Sequence, residues 1–140
     1  MMTHVIYHVL TPIIAACILN YYIYLQGWNT GKKTQKNPKL PPGYIIGTVW
    51  IIIFGLLGYV HYLVYPSYAS WVIIVAIIYC LAYPFLTNGL KQENAGIYNA
   101  LSLVIAVIVY YNVYIQQPFS SLYILPFLLW TLYVNIVTNI

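Results

Sequence analysis

Long apolar stretches separated by short polar breaks are the dominant pattern along the chain, and five of them are long enough to cross a bilayer. A hydrocarbon core about 30 Å thick takes about 20 helical residues per span. The stretches run from about Val5 to Leu25, Gly43 to Val64, Ser70 to Leu90, Ile97 to Ile115, and Leu122 to the C-terminus. Three breaks read as turns: Tyr65-Pro66-Ser67, Lys91-Gln92-Glu93-Asn94 and Gln116-Gln117-Pro118. Only the first connection, Gln26 to Pro42, is long. A membrane β-barrel would alternate polar and apolar residues over ten-residue segments. Runs such as Trp50-Ile51-Ile52-Ile53-Phe54 do not alternate. Helices satisfy their own backbone groups in lipid. The pattern therefore predicts one all-α domain over residues 1–140, an integral membrane bundle of five transmembrane helices.

Composition sharpens this reading. Hydrophobic residues make up 63% of the 140, and charged residues 4%. Soluble domains carry about a quarter charged residues, so a soluble fold is excluded. Disorder is excluded as well, since it needs polarity and charge. So is nucleic-acid binding, which needs a basic surface to neutralise phosphates. Cys17 and Cys80 lie inside apolar stretches, where thiols behave as small hydrophobes. Ile14-Ala15-Ala16-Cys17 faintly resembles a lipoprotein cleavage site but lacks a basic region before it, and is read as mature helix.

The strong charges fix an expected topology. They are Lys32, Lys33, Lys36, Lys39, Lys91 and Glu93, and all fall in the first and third connections. With five spans, both connections share a face with the C-terminus. Positive residues mark the cytoplasmic side. The first connection and the C-terminus are thus expected in the cytosol and the N-terminus opposite, in a membrane that the sequence does not name. The basic first connection obeys this rule, and it could also steer an acidic group on a ligand.

No span contains Asp, Glu, Lys or Arg. Pumps and proton-coupled transporters place such residues in their spans, and acid–base catalysis commonly uses them. What polarity remains comes from Asn20, Asn99, Asn112, Asn135, His61, hydroxyls and thiols. That set suits a pocket for a large, mostly apolar ligand. Among the tyrosines, those near span ends suit the interface, where amphipathic rings are favoured.

Three motifs in order carry a resemblance. Pro41-Pro42-Gly43-Tyr44-Ile45-Ile46-Gly47-Thr48-Val49-Trp50 opens the second span with a proline pair, and Gly58-Tyr59 follows. Tyr83-Pro84-Phe85-Leu86-Thr87-Asn88-Gly89 closes the third span. Pro118 precedes Pro126-Phe127-Leu128-Leu129-Trp130 by eight residues. Together these resemble the second, third and fifth helices of the TspO/MBR family, the translocator proteins or peripheral-type benzodiazepine receptors. Tyr83 stands where that family usually has Trp, Thr87-Asn88 where it has Phe-Phe, and Cys80 where it has Asn. The resemblance implies a membrane receptor that binds porphyrins or similar hydrophobic tetrapyrroles and assists their transport or sequestration, without a required cofactor. It also implies a light- and oxygen-dependent porphyrin-degrading enzyme as an alternative, and a homodimer. The family's sterol motif needs a basic residue after a tyrosine; none follows Tyr133, so cholesterol binding is not expected.

Gly47, Trp50, Phe54, Gly58 and His61 recur at helical spacing, as do Phe127, Trp130 and Val134. Trp50 lies about 10 Å inside its helix and Trp130 about 15 Å from the chain end, at 1.5 Å per residue. Two indoles at similar depth could sandwich a flat macrocycle, or the same pattern could be plain helix packing. The family resemblance favours the pocket and implies Trp50, Trp130, Gly47, Phe54, Tyr83, Phe127 and Val134 as ligand contacts. A rival constellation pairs His8 with His61, which fall at the same end of their helices. Paired imidazoles on facing helices hold the iron of a b-type haem, which would make a bis-His membrane electron carrier; packed or interfacial histidines are the plain alternative. Ala76 and Cys80 form a small-xxx-small pair, a feature of close helix association, and are expected at the dimer contact.

Overall fold

The computed structural model describes residues 2–26, 43–86 and 95–138. The lysine-bearing connections, Trp28, Pro41-Pro42 and Thr87-Asn88-Gly89 lie outside them, and with them the residues on which the topology rests. Within the described residues the chain forms α1 (Met2–Gln26), α2 (Gly43–Val64), α3 (Tyr68–Pro84), α4 (Ala95–Gln116) and α5 (Leu125–Thr138). A 3-10 helix, Pro118–Ile124, leads directly into α5. No strand occurs among the described residues. The expected second span matches α2 at both ends. The last begins earlier than the hydropathy suggests, because Pro118 takes the first-turn position of the 3-10 helix, where a missing N–H costs nothing.

The segments His4–Gln26, Ile45–Val64, Gly96–Gln116 and Pro118–Val137 are long and apolar enough to cross a bilayer, the last by joining the 3-10 helix to α5. α3 is equally apolar but shorter, about 25 Å at 1.5 Å per residue and so at the low end of what spans. The bundle is apolar outside as well as inside. Ile6, Leu10, Ile14 and Ile18 form an exposed stripe down α1 at four-residue spacing, and Leu101, Val104, Ile108 and Ile115 form another down α4. Helices that are hydrophobic all round belong in lipid.

Contacts order the helices in a ring. α1 packs on α2, α2 on the 3-10 helix that starts α5, α5 on α4, α4 on α3, and α3 lightly on α1. α2 also meets α3, so α2 is packed on three sides. Its Ile53, Leu57 and Val60 are fully buried with Ile73, Val109 and Phe127.

Helix ends and polar residues tie the ring together. The Gln117 side-chain amide donates to the Leu63 carbonyl at 2.9 Å, meeting one of the carbonyls that a helix C-terminus leaves unpaired. Ser120 Oγ donates back to the Gln117 side chain at 2.7 Å. The turn after α2 carries a cis Tyr65-Pro66 bond, and the Ser67 N–H donates to Ser70 Oγ at 3.2 Å to start α3. Further along, Tyr79 O–H and Ser102 Oγ both donate to the Tyr98 carbonyl, at 2.6 and 2.9 Å. Asn135 donates to the carbonyls of Asn99 and Thr131 at 2.8 and 2.7 Å, and Tyr83 O–H donates to Asn99 Oδ1. This network joins α3, α4 and α5. Asn99 and Asn135, expected as pocket polarity, are engaged as interhelical hydrogen bonds.

Ala76 and Cys80 are buried inside the chain. They let α3 approach its own neighbours and are not presented to a second copy; the outward face of α3 carries Trp71, Val75 and Ile78. The expected dimer contact is corrected accordingly.

Candidate functional site

Two clusters emerge, at different depths of α2. The first is aromatic. Trp50 and Phe54, one turn apart, meet with ring centroids 6.0 Å apart. Trp50 also meets Phe127 of α5 edge-on at 6.3 Å. Phe127 is fully buried, and Trp130 follows one turn on, half-buried against the same core. Trp130 in turn meets Tyr133 at a tilt, with ring centroids 5.7 Å apart. The result is an aromatic seam between α2 and α5, with Phe127 fixed in the core and Trp50 and Trp130 at its margins. Val134, half-buried, lies one turn beyond Trp130 on α5. Tyr83 is separate, bonded to Asn99 across α3 and α4.

The glycines of α2 point elsewhere. A Cβ on Gly47 would stand 3.3 Å from Asn20 Nδ2, and one on Gly55 3.0 Å from Ile13 Cδ1. Both glycines therefore receive α1. Gly47 gives room to α1, not to a ligand beside Trp50. The single face read from the sequence is divided: Gly47, Gly58 and His61 look to α1, and Trp50 and Phe54 look to the core and α5.

The second cluster is built on Pro12. A proline inside a helix removes one N–H and pushes against the carbonyl four residues earlier, which here belongs to His8. That carbonyl points at Gly58: a Cβ there would lie 2.1 Å from His8 O and 3.1 Å from Pro12 Cγ. Only glycine fits. One turn further along α2, His61 meets the His8 side chain, with Nδ1 to Nδ1 at 2.8 Å. Ring centroids are 4.9 Å apart and the planes 29° apart, and the contact is an N–H···N hydrogen bond in which one imidazole donates and the other accepts. His61 Nε2 is buried without a hydrogen-bond partner among the described residues. Tyr62 and Tyr65 surround the pair, with ring centroids 5.5 and 6.1 Å from His8. A cleft of about 380 Å³ opens beside it between α1, α2 and α3, walled by Pro12, Ile74, Ile77 and Leu81.

The structure thus brings His8 and His61 together, as their positions at one end of two helices suggested. Their spacing does not suit the haem reading. An iron between trans imidazoles would need nitrogens about 4 Å apart, twice a metal–imidazole bond of about 2.0–2.1 Å. The Pro12–Gly58 contact that sets this geometry was missed from the sequence. The signal was present, since His8 lies four residues before Pro12, but the partner glycine becomes visible only in three dimensions. The Tyr79, Tyr98 and Ser102 network was missed for the same reason.

Comparison with known proteins gives one match. The model of the TspO/MBR family fits residues 8–139, nearly the whole chain, and the chain belongs to that family. No curated protein and no solved structure matches it.

Proposed function

We propose that this TspO/MBR family member binds flat hydrophobic tetrapyrroles, protoporphyrin among them, at the aromatic seam between α2 and α5. In this reading it is a membrane receptor that sequesters such ligands or assists their passage through the bilayer. The observation that carries the reading is the contact of Trp50 with Phe127, with Trp130 one turn along the same helix. Aromatic faces at one depth stack on a planar macrocycle, and offset stacking contributes about 0.5–1.5 kcal/mol beyond buried area. Family membership supports the ligand class. The seam lacks acidic and basic side chains, which fits a ligand held mainly by area and stacking. Phe54 and Phe127 both lie against Trp50, and Val134 follows one turn beyond Trp130.

The test is a titration of the purified chain in mild detergent with protoporphyrin, read by tryptophan fluorescence. Saturable quenching at one ligand per chain is expected. Linear quenching that never saturates would reject the site. Metal-free porphyrin affinity should be unchanged by His61→Ala, since that ligand has no iron to coordinate.

A further inference from the structure

The cleft beside the histidine pair is polar at one end and apolar at the other. Tyr7, His8, Thr11 and His61 line it near the Tyr65–Ser67 turn, and Ala15, Ile77 and Leu81 line it toward the middle of the bundle. We propose that it holds a single-chain acidic amphiphile, a long-chain fatty acid, with the carboxyl group against the histidine pair and the chain along the apolar walls. At about 380 Å³ the cleft is large enough for such a ligand, since small-molecule sites run from about 300 to 1,000 Å³. Its walls extend about 12 Å, from Tyr7 to Ala15 at 1.5 Å per residue. Tyr7 and Ile78 at its rim are exposed, so a longer chain continues into the surrounding lipid.

Charge selects an acid over a neutral lipid. All three histidines, His4, His8 and His61, fall at this end of their helices, and the one acidic residue, Glu93, lies beyond the far end of α3. His61 is in the last turn of α2, where the helix dipole favours a cation. Pro12 keeps the wall below the pair apolar. It carries no N–H, and the His8 carbonyl that it deprives of a helical partner packs against Gly58, 2.1 Å from where a Cβ would stand.

The hydrogen bond between the rings leaves a place for the acid's proton. One imidazole donates through Nδ1 and the other accepts at 2.8 Å, so the donating ring keeps a lone pair on Nε2. The carboxylic O–H passes its proton to that nitrogen, which pairs a carboxylate with an imidazolium and conserves the proton count. The bond between the two Nδ1 atoms stays in place and becomes charge-assisted. His61 Nε2 is buried without a hydrogen-bond partner among the described residues, where buried polar groups are ordinarily satisfied. A carboxyl group offers both a donor and an acceptor, and so satisfies it in either tautomer. The site lies about 16 Å along α2 from Trp50 at 1.5 Å per residue, so it stands or falls independently of the tetrapyrrole reading.

The test uses the full chain in mild detergent with a palmitic acid analogue that carries a photoreactive diazirine near its tail, and mass spectrometry to locate the label. The label is expected on Ala15 and between Ile74 and Leu81. Excess palmitic acid should remove it, and methyl palmitate, which has no acid group, should not. His8→Gln and His61→Gln should each weaken binding by roughly tenfold, the scale of one hydrogen bond to a charged group. The glutamine amide keeps a hydrogen bond across the helices, so an unchanged melting temperature separates a lost ligand from a lost fold. Ala15→Phe fills the apolar end and should abolish the label. Label scattered over the exposed stripes of α1 and α4, equal competition by the methyl ester, or binding untouched by both glutamine variants would overturn the assignment. So would a dimer that Ala15→Phe splits into single chains, since the cleft would then belong to a second copy.

Discussion

Gly58 shows how one residue controls a helix contact. Its missing side chain admits the His8 carbonyl that Pro12 displaces, and a Cβ would lie 2.1 Å from that backbone oxygen. A backbone atom cannot swing aside, so Gly58→Ala should lower stability by about 1–3 kcal/mol, the scale of overpacking. Gly47→Ala offers the contrast. Its Cβ would meet the Asn20 side-chain amide at 3.3 Å, which can move by a few tenths of an ångström. Helix propensity favours Ala over Gly by about 0.8–1.0 kcal/mol, so that change should be close to neutral. Thermal melts of both variants in detergent check the pair. Equal losses would contradict the assignment of Gly58 to a backbone contact. At the seam, Val134→Ala should leave protoporphyrin affinity equal or improved, because it removes volume at the margin without touching Phe127; a fluorescence titration reads this directly.

Among the helices, hydropathy and the caps account for most of what the sequence revealed. α2 was legible at both ends because Pro41-Pro42 precedes it and Tyr65-Pro66-Ser67 follows. The start of the last span was less legible, since Pro118-Phe119-Ser120-Ser121 looks like a loop and folds as a 3-10 helix. Its hydroxyls are paired locally, Ser121 Oγ donating to the Pro118 carbonyl at 2.6 Å, so the polarity is hidden from lipid. The faces of α2 were the hardest to read. Helical spacing groups Gly47, Trp50 and Gly58 on one side, yet which neighbour covers each residue depends on the ring order of the bundle. The asparagines illustrate the same limit: a polar residue in a span could line a pocket or bond another helix, and Asn99 and Asn135 do the second. Asn135→Leu should therefore destabilise the α4–α5 contact by about 1–2 kcal/mol or less, the range for such bonds in membranes. Unfolding in a denaturing detergent series measures it. No loss would assign Asn135 a role other than joining these helices.

For the whole molecule, the apolar exterior and family membership establish an integral membrane protein. The charge pattern proposes its orientation, with every lysine in two connections that five spans put on the C-terminal side. Cysteine labelling in sealed vesicles should place Lys36→Cys in the cytosol and Ser67→Cys opposite, in a background from which Cys17 and Cys80 have been removed. Labelling of both from one side would contradict five spans. The proposed function rests on where this frame sets its aromatic residues. Protoporphyrin affinity in the double variant Trp50→Phe, Trp130→Phe, compared with the parent chain at matched folding, decides whether the seam holds the macrocycle. Each change keeps an aromatic face but removes contact area, and should weaken binding by about 1 kcal/mol, roughly fivefold. The double variant should lose more affinity than either single one. Unchanged affinity in the folded double variant would contradict a site at the seam.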